Sequence, residues 1–201
     1  MMHKKARISS AGILFVLFLA GSGLLAVSPP LYSDEIKPAE ILDAFDLSDL
    51  NTSFSRLHYL ISFGSDPNAF SAIKVRLGST NPQIRFAAIY LLIHIAGEAE
   101  TALLLEAVKD PVPAFRAIAA GALIGLGEGS AFPILIDALM SDDNLPYSDP
   151  PKPLRAFSQQ TLEAYVAEES RPAGADDWAD WWATHQERLM WSDSLKRYVL
   201  H

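Results

Sequence analysis

The residue types in this chain that could do chemistry are five histidines, a few adjacent acid pairs and one glycine-rich stretch. His3, His58, His94, His185 and His201 are scattered, and none forms an H-E-x-x-H or other ligand spacing. His94 stands in an apolar stretch, where a hydrogen-bonded core imidazole is expected rather than a ligand. Asp142-Asp143, Glu168-Glu169 and Asp176-Asp177 are adjacent in sequence. Neighbouring side chains on a helix or strand diverge, so they make poor acid–base pairs. The stretch GALIGLGEGSAFPIL (121–135) could cradle a phosphate. A dinucleotide loop, however, needs a preceding strand and the spacing G-x-G-x-x-G. Gly125, Gly127 and Gly129 are spaced G-x-G-x-G and follow an apolar helical pattern, so a turn is expected. No G-x-S-x-G occurs. With no cysteine there is no disulfide, thiolate metal site or thiol nucleophile. The expectation is therefore a non-enzyme with no catalytic residue, no cofactor and no metal ligand.

Two other stretches could recognise a partner. SDDNLPYSDPPKPLR (141–155) carries four prolines, three aspartates and Tyr147. Asp142, Asp143, Tyr147, Asp149 and Arg155 are its candidate partner-binding residues; the alternative is a solvated spacer, because Pro and Asp are ordinary loop chemistry. DDWADWWATHQERLMW (176–191) holds all four tryptophans, Trp178, Trp181, Trp182 and Trp191. On one helix Trp178, Trp182, His185 and Leu189 would share a face. Large aromatics cover much apolar area per residue, so a C-terminal capping helix is expected. An aromatic cage or sugar platform is the functional alternative.

The elements that position these stretches begin with residues 1–28, MMHKKARISSAGILFVLFLAGSGLLAVS. Lys4, Lys5 and Arg7 precede an uncharged apolar run from Ala11 to Val27, the layout of a secretory signal. Ala20-Gly21-Ser22 and Ala26-Val27-Ser28 offer small residues for cleavage, although Pro29 disfavours the second. The run is also nearly long enough to span a bilayer uncut, which takes about 17–25 residues. The remaining chain is expected in the periplasm or cell envelope, with membrane contact only through an uncleaved 11–27. Losing those three cations would move the net charge from −8 to −11. A surface that acidic repels nucleic acid and anionic lipid, and suits a basic or neutral partner.

Beyond a linker at 29–37, the chain repeats. AFSAIKVRLGS (69–79), ETALLLEAVKD (100–110) and AFPILIDALMS (131–141) align at 31 residues, with Ile73, Leu104 and Leu135 in register, and Leu77, Val108 and Leu139 likewise. Between them, Arg85, Arg116 and Arg155 each begin a second segment, the last after an eight-residue insertion. Seven residues past each arginine stand Leu92, Leu123 and Leu162, and ten past it Ile95, Leu126 and Tyr165. Each unit thus predicts two helices. The second is apolar nearly all round and must be buried on several sides, which stacked repeats provide. Ala87, Ala88, Ala117, Ala119, Ala120 and Gly121 are small enough for close helix approach. Asn81-Pro82 and Asp110-Pro111 are helix-start signals.

Asn-Pro-x-x-Arg-x-Ala-Ala at 81–88, the following leucines and the Gly-Glu turn resemble HEAT-like repeats of the short, roughly 30-residue kind named after phycobilin lyases. The resemblance covers about 52–168. It implies an all-α fold, an α-solenoid of stacked helical hairpins, in which Arg85, Arg116 and Arg155 stitch repeats together. The first unit departs from the pattern, with Phe54 in register with Arg85, as suits an N-terminal cap. The W-x-x-W-W tail is similar to that of other exported bacterial HEAT-like proteins. The expected organisation is a signal or anchor at 1–28, the linker, a solenoid at 38–168 with its insertion at 142–153, and a Trp-rich cap at 169–201. The leading functional expectation is a non-catalytic protein-binding or scaffold module of the cell envelope. The alternatives are a bilin-lyase-like enzyme or chaperone, whose chemistry serves cytoplasmic proteins, and a carbohydrate or small-ligand binder using the tryptophans.

Overall fold

The structure, a computed structural model, describes residues 37–62, 66–95, 98–148 and 150–201. The expected signal or anchor at 1–28, and the linker up to residue 36, lie outside the described residues. Among the described residues no helix is long and apolar enough to cross a membrane. The chain is mostly helical, with nine α-helices and one two-stranded sheet among the described residues. It divides into two compact units between Leu103 and Leu104.

The first unit contains α1 (Pro38–Asp43), α2 (Leu50–Ser62), α3 (Pro67–Leu77) and α4 (Pro82–Ile95). Proline opens α1, α3 and α4, where its missing N–H costs no helical bond. Asp66 caps α3 by accepting from the Asn68 N–H at 2.9 Å. The middle helix of the unit is α4, packed by α1, α2 and α3 and buried continuously from Arg85 to His94. Its composition explains this: an apolar helix without a polar stripe has no face to offer water. At the place of the repeat arginine, Phe54 sets its ring edge-on to Phe45 at 5.9 Å and to Tyr90 at 5.1 Å. Arg76 on α3 pairs with Asp43 at the end of α1 through an Nε–Oδ1 bond of 3.0 Å.

The unit boundary falls inside α5 (Glu98–Ala107). The second unit contains α6 (Pro113–Gly125), α7 (Phe132–Ala138), α8 (Leu154–Tyr165), α9 (Trp178–His185) and a hairpin of β1 (Leu189–Ser192) and β2 (Arg197–Leu200). Here α6 packs on α7 and α8, α7 on α8 and α9, and α8 on β2. Gly121 is where α6 meets α8: a Cβ there would lie 3.2 Å from Thr161 Cγ2.

The 31-residue period reappears in side-chain burial and in hydrogen bonds. Ile73, Leu104 and Leu135 are all buried, while Leu77, Val108 and Leu139 are all half-buried. Leu92, Leu123 and Leu162 are fully buried. Ser79, Asp110 and Ser141 each donate their own N–H three residues back, to Arg76, Ala107 and Ala138, at 3.1–3.2 Å. Each then accepts, through its side-chain oxygen, the N–H two residues on: Asn81 at 3.2 Å, Val112 at 2.8 Å and Asp143 at 3.1 Å. Ser79-Thr80 thus stands opposite Asp110-Pro111, as the 31-residue register requires, and Asn81-Pro82 follows two residues later. A serine and an aspartate serve alike because both present an oxygen to the same turn.

Two arginines use that turn. Arg85 Nη1 donates to the Ser79 and Thr80 carbonyls at 2.9 and 3.4 Å, and Arg116 Nη1 to the Asp110 and Pro111 carbonyls at 3.0 and 3.2 Å. Each guanidinium thus ties the start of its own helix to the preceding turn. Arg155 stands differently: it is the second residue of α8 rather than the fourth, and it is exposed.

Two regions differ in form from the sequence expectation. The capping helix stops at His185, and a 3-10 turn (Gln186–Arg188) leads into the hairpin, which places Trp191 on a strand. The two ends of the insertion are joined by backbone bonds. Asn144 and Pro153 bridge, Leu145 N–H donates to the Lys152 carbonyl and Leu154 N–H to the Asp143 carbonyl, both at 2.8 Å. Leu145 is buried beneath this closure.

Candidate functional site

The glycine-rich stretch borders an open cleft in the second unit. Gly127 has φ +88°, a left-handed conformation that suits glycine. The Gly127 N–H donates to the Ile124 carbonyl at 3.0 Å and the Glu128 N–H to the Leu123 carbonyl at 2.9 Å, the Schellman pattern that closes a helix. The turn is a helix stop, and its backbone is also a packing surface. A Cβ on Gly127 would lie 3.0–3.2 Å from the Trp191 indole, and one on Gly129 would lie 3.4 Å from Tyr198 Oη. A side chain at Gly127 would press on the indole, whereas one at Gly129 would only reach van der Waals contact with Tyr198.

An open cleft of about 410 Å³ lies where the turn, the end of α9 and the hairpin meet. That size falls within the ~300–1,000 Å³ typical of small-ligand sites. Trp182 from α9, and Leu189 and Tyr198 from the strands, supply its apolar lining. Gln186 and Glu187 from the 3-10 turn, with Gly129 and Ser130, supply its polar lining. Behind these stands Phe132, the fully buried first residue of α7. Trp182 stacks on Phe132 with 5.0 Å between centroids and 14° between planes. Tyr198 meets the same ring edge-on at 4.9 Å, and Trp191 meets Tyr198 at 5.1 Å. One buried phenyl ring therefore fixes the orientation of both aromatic walls.

Tyr198 is buried, and its Oη has no hydrogen-bond partner among the described residues. Burial and the neighbouring Glu128 carboxylate both push its pKa well above the ordinary phenol value, so it stays a neutral hydroxyl. Backbone bonds hold β2 in place: Ala167 N–H donates to the Tyr198 carbonyl at 2.8 Å, and Leu200 N–H to Ser170 Oγ at 3.2 Å.

The four tryptophans separate into two pairs. Trp178 and Trp181 are buried against each other at 5.2 Å, and Trp181 also stacks on His185 at 5.5 Å. Trp182 and Trp191 are half-buried around Phe132 and Tyr198. Of the face expected from a continuous helix, Trp178, Trp182 and His185 lie on α9, but Leu189 does not, because it belongs to β1. Gln186, Glu187, Phe132 and Tyr198 carried no signal of their own in the sequence reading. The alternation around a turn at 193–196 could have revealed the hairpin and, with it, Tyr198.

The insertion brings its candidates together less closely. Tyr147 has φ 64° and is half-buried, its ring 6.5 Å from Phe115. Asp142, Asp143 and Arg155 are exposed, and Asp149 lies outside the described residues.

A second titratable group sits in the first unit. His94 is buried, and its Nδ1 lies 2.7 Å from the Tyr90 carbonyl one turn back, which makes Nδ1 the protonated nitrogen. Burial pulls its pKa down to about 4. His58 Nε2 lies 3.0 Å from Tyr90 Oη, and desolvation lowers its pKa too. Among the described residues no group of three or more His, Asp or Glu side chains is arranged to hold a metal ion. No protein-family model, curated protein or solved structure matches the chain.

Proposed function

We propose that the chain is a non-catalytic protein-binding module of the cell envelope, built on HEAT-like helical repeats and exported by its N-terminal segment. The repeat reading is supported by the turn bonds at Ser79, Asp110 and Ser141, which keep the 31-residue period although the residue type changes. Export is supported by Lys4, Lys5 and Arg7 ahead of the uncharged run. Binding is carried by one observation: Trp182 is half-buried, locked flat on Phe132, and lines an open cleft with polar groups at its edge. Apolar walls with a few placed polar groups are the usual composition of a recognition site.

A photoreactive amino acid at Gln186, in cells carrying the native envelope, tests this reading. The expected result is one dominant protein adduct that disappears when Trp182→Ala is introduced. An adduct pattern unchanged by Trp182→Ala, or identical from a probe at the exposed Lys74, would show that the cleft is not the contact.

A further inference from the structure

We infer that the cleft receives a basic side chain, best an arginine, from an extended segment of the partner protein. The inference rests on the protein-binding reading and adds the chemistry of what enters. Trp182 stacks on Phe132, is only half-buried, and lines the cleft with the surface that remains. An indole face attracts cations more strongly than other aromatic faces do, and arginine is the commonest partner. The charged group lining the cleft is a carboxylate, Glu187. A second acid, Glu128, accepts from the Ser130 N–H at 3.3 Å on the same turn. No lysine or arginine lines the cleft among the described residues, and Arg188, next in sequence to Glu187, directs its Nε to the His201 carbonyl at 2.8 Å.

Geometry favours guanidinium over ammonium. A planar guanidinium stacks on an indole while its edge still presents N–H donors. Two acceptors of the right kind line the cleft with Trp182: the exposed Glu187 carboxylate and the exposed Gln186 amide oxygen. The wider charge balance agrees, since 24 acids stand against 16 lysines and arginines. A field of that sign draws basic segments toward the surface.

The test titrates two acetylated pentapeptide amides into the full chain, Gly-Gly-Arg-Gly-Gly and the same peptide with citrulline, and follows the four indole N–H resonances by NMR. Citrulline keeps the shape and loses the charge. The arginine peptide is expected to shift Trp182, to leave the buried Trp178 unmoved, and to bind several-fold more tightly than the citrulline peptide. Glu187→Gln is expected to weaken the arginine peptide by about twofold to fivefold, the range for an exposed ion pair. Glu187 is exposed, so this variant should fold normally.

Equal binding of the two peptides would overturn the inference. So would a Trp182 shift produced by chitotetraose and not by the arginine peptide, which would assign the platform to saccharides. Absence of any Trp182 shift, with the Gln186 adduct still formed, would remove the basic side chain and leave the protein-binding reading standing. Loss of both signals would remove both.

Discussion

Acidification is expected to destabilise the first unit through His94. Its imidazole is buried, and its pKa is pulled from 6.5 to about 4, chiefly by burial and to a lesser degree by the charge of His58. Below pH 6.5 the unfolded chain takes up a proton that the folded chain refuses. Stability from this group is therefore fully present above the unfolded pKa and is lost as pH falls towards the folded one. A drop of roughly two and a half units, at about 1.4 kcal/mol per unit, is worth ~3 kcal/mol. For a chain of this length that corresponds to a Tm fall of about 6–12 °C. His58 acts in the same direction from the solvent edge. Asp46, Asp49 and Asp193, held below 3.8 by hydrogen bonds, titrate below this window. The assay is thermal unfolding by circular dichroism from pH 7.5 to 4, on the native chain and on His94→Leu. The variant keeps an apolar side chain of similar bulk and has no proton to bind, so its Tm should vary much less with pH. An equally steep pH dependence in both proteins would refute the argument.

Other outcomes follow from particular contacts. Gly127→Ala combines a left-handed backbone with a Cβ 3.0 Å from Trp191, and should cost at least ~1–2 kcal/mol in denaturant melts while raising Trp191 solvent quenching. Phe132→Ala should cost ~3–5 kcal/mol and free both aromatic walls, seen as averaged Trp182 and Tyr198 ring signals by NMR. Removing 142–153 also removes buried Leu145, so the deletion should lower stability by roughly the 2–5 kcal/mol of a Leu→Ala change; an unchanged melt would reduce the insertion to a spacer. Asp110→Ala should cost about 0.5–1.5 kcal/mol in denaturant melts, the net worth of one hydrogen bond, by removing the acceptor for the Val112 N–H.

Much of the helical framework was legible because its signals are local and periodic. The repeat register placed Leu92, Leu123 and Leu162, and all three are fully buried. The glycine turn was readable because a helix followed by glycine has few ways to continue, and Gly127 takes the left-handed one. His94 was expected in the core, and it is buried there with a backbone partner. The candidate cleft was not legible, because non-local contacts create it. Nothing near Tyr198 in sequence announces that it will meet Phe132, and the helical spacing of Trp178, Trp182 and Leu189 gave no warning that the helix stops at His185. The internal closure of the insertion was illegible for a related reason. Its composition is that of a solvated loop, while its closure comes from the bonds Leu145 and Leu154 make across it.

The cleft has a place in time as well as in space. One side of it, Gly129 to Phe132, is synthesised well before the other, Trp182 to Tyr198. A growing chain can form the Gly127 turn and bury Phe132 in provisional contacts, but no aromatic platform exists until β2 has been made and has bonded Ala167. Anything that recognises the platform therefore recognises chains in which β2 has been made and docked. Binding there would also favour the docked hairpin by mass action, so a ligand of the cleft would hold β2 in place.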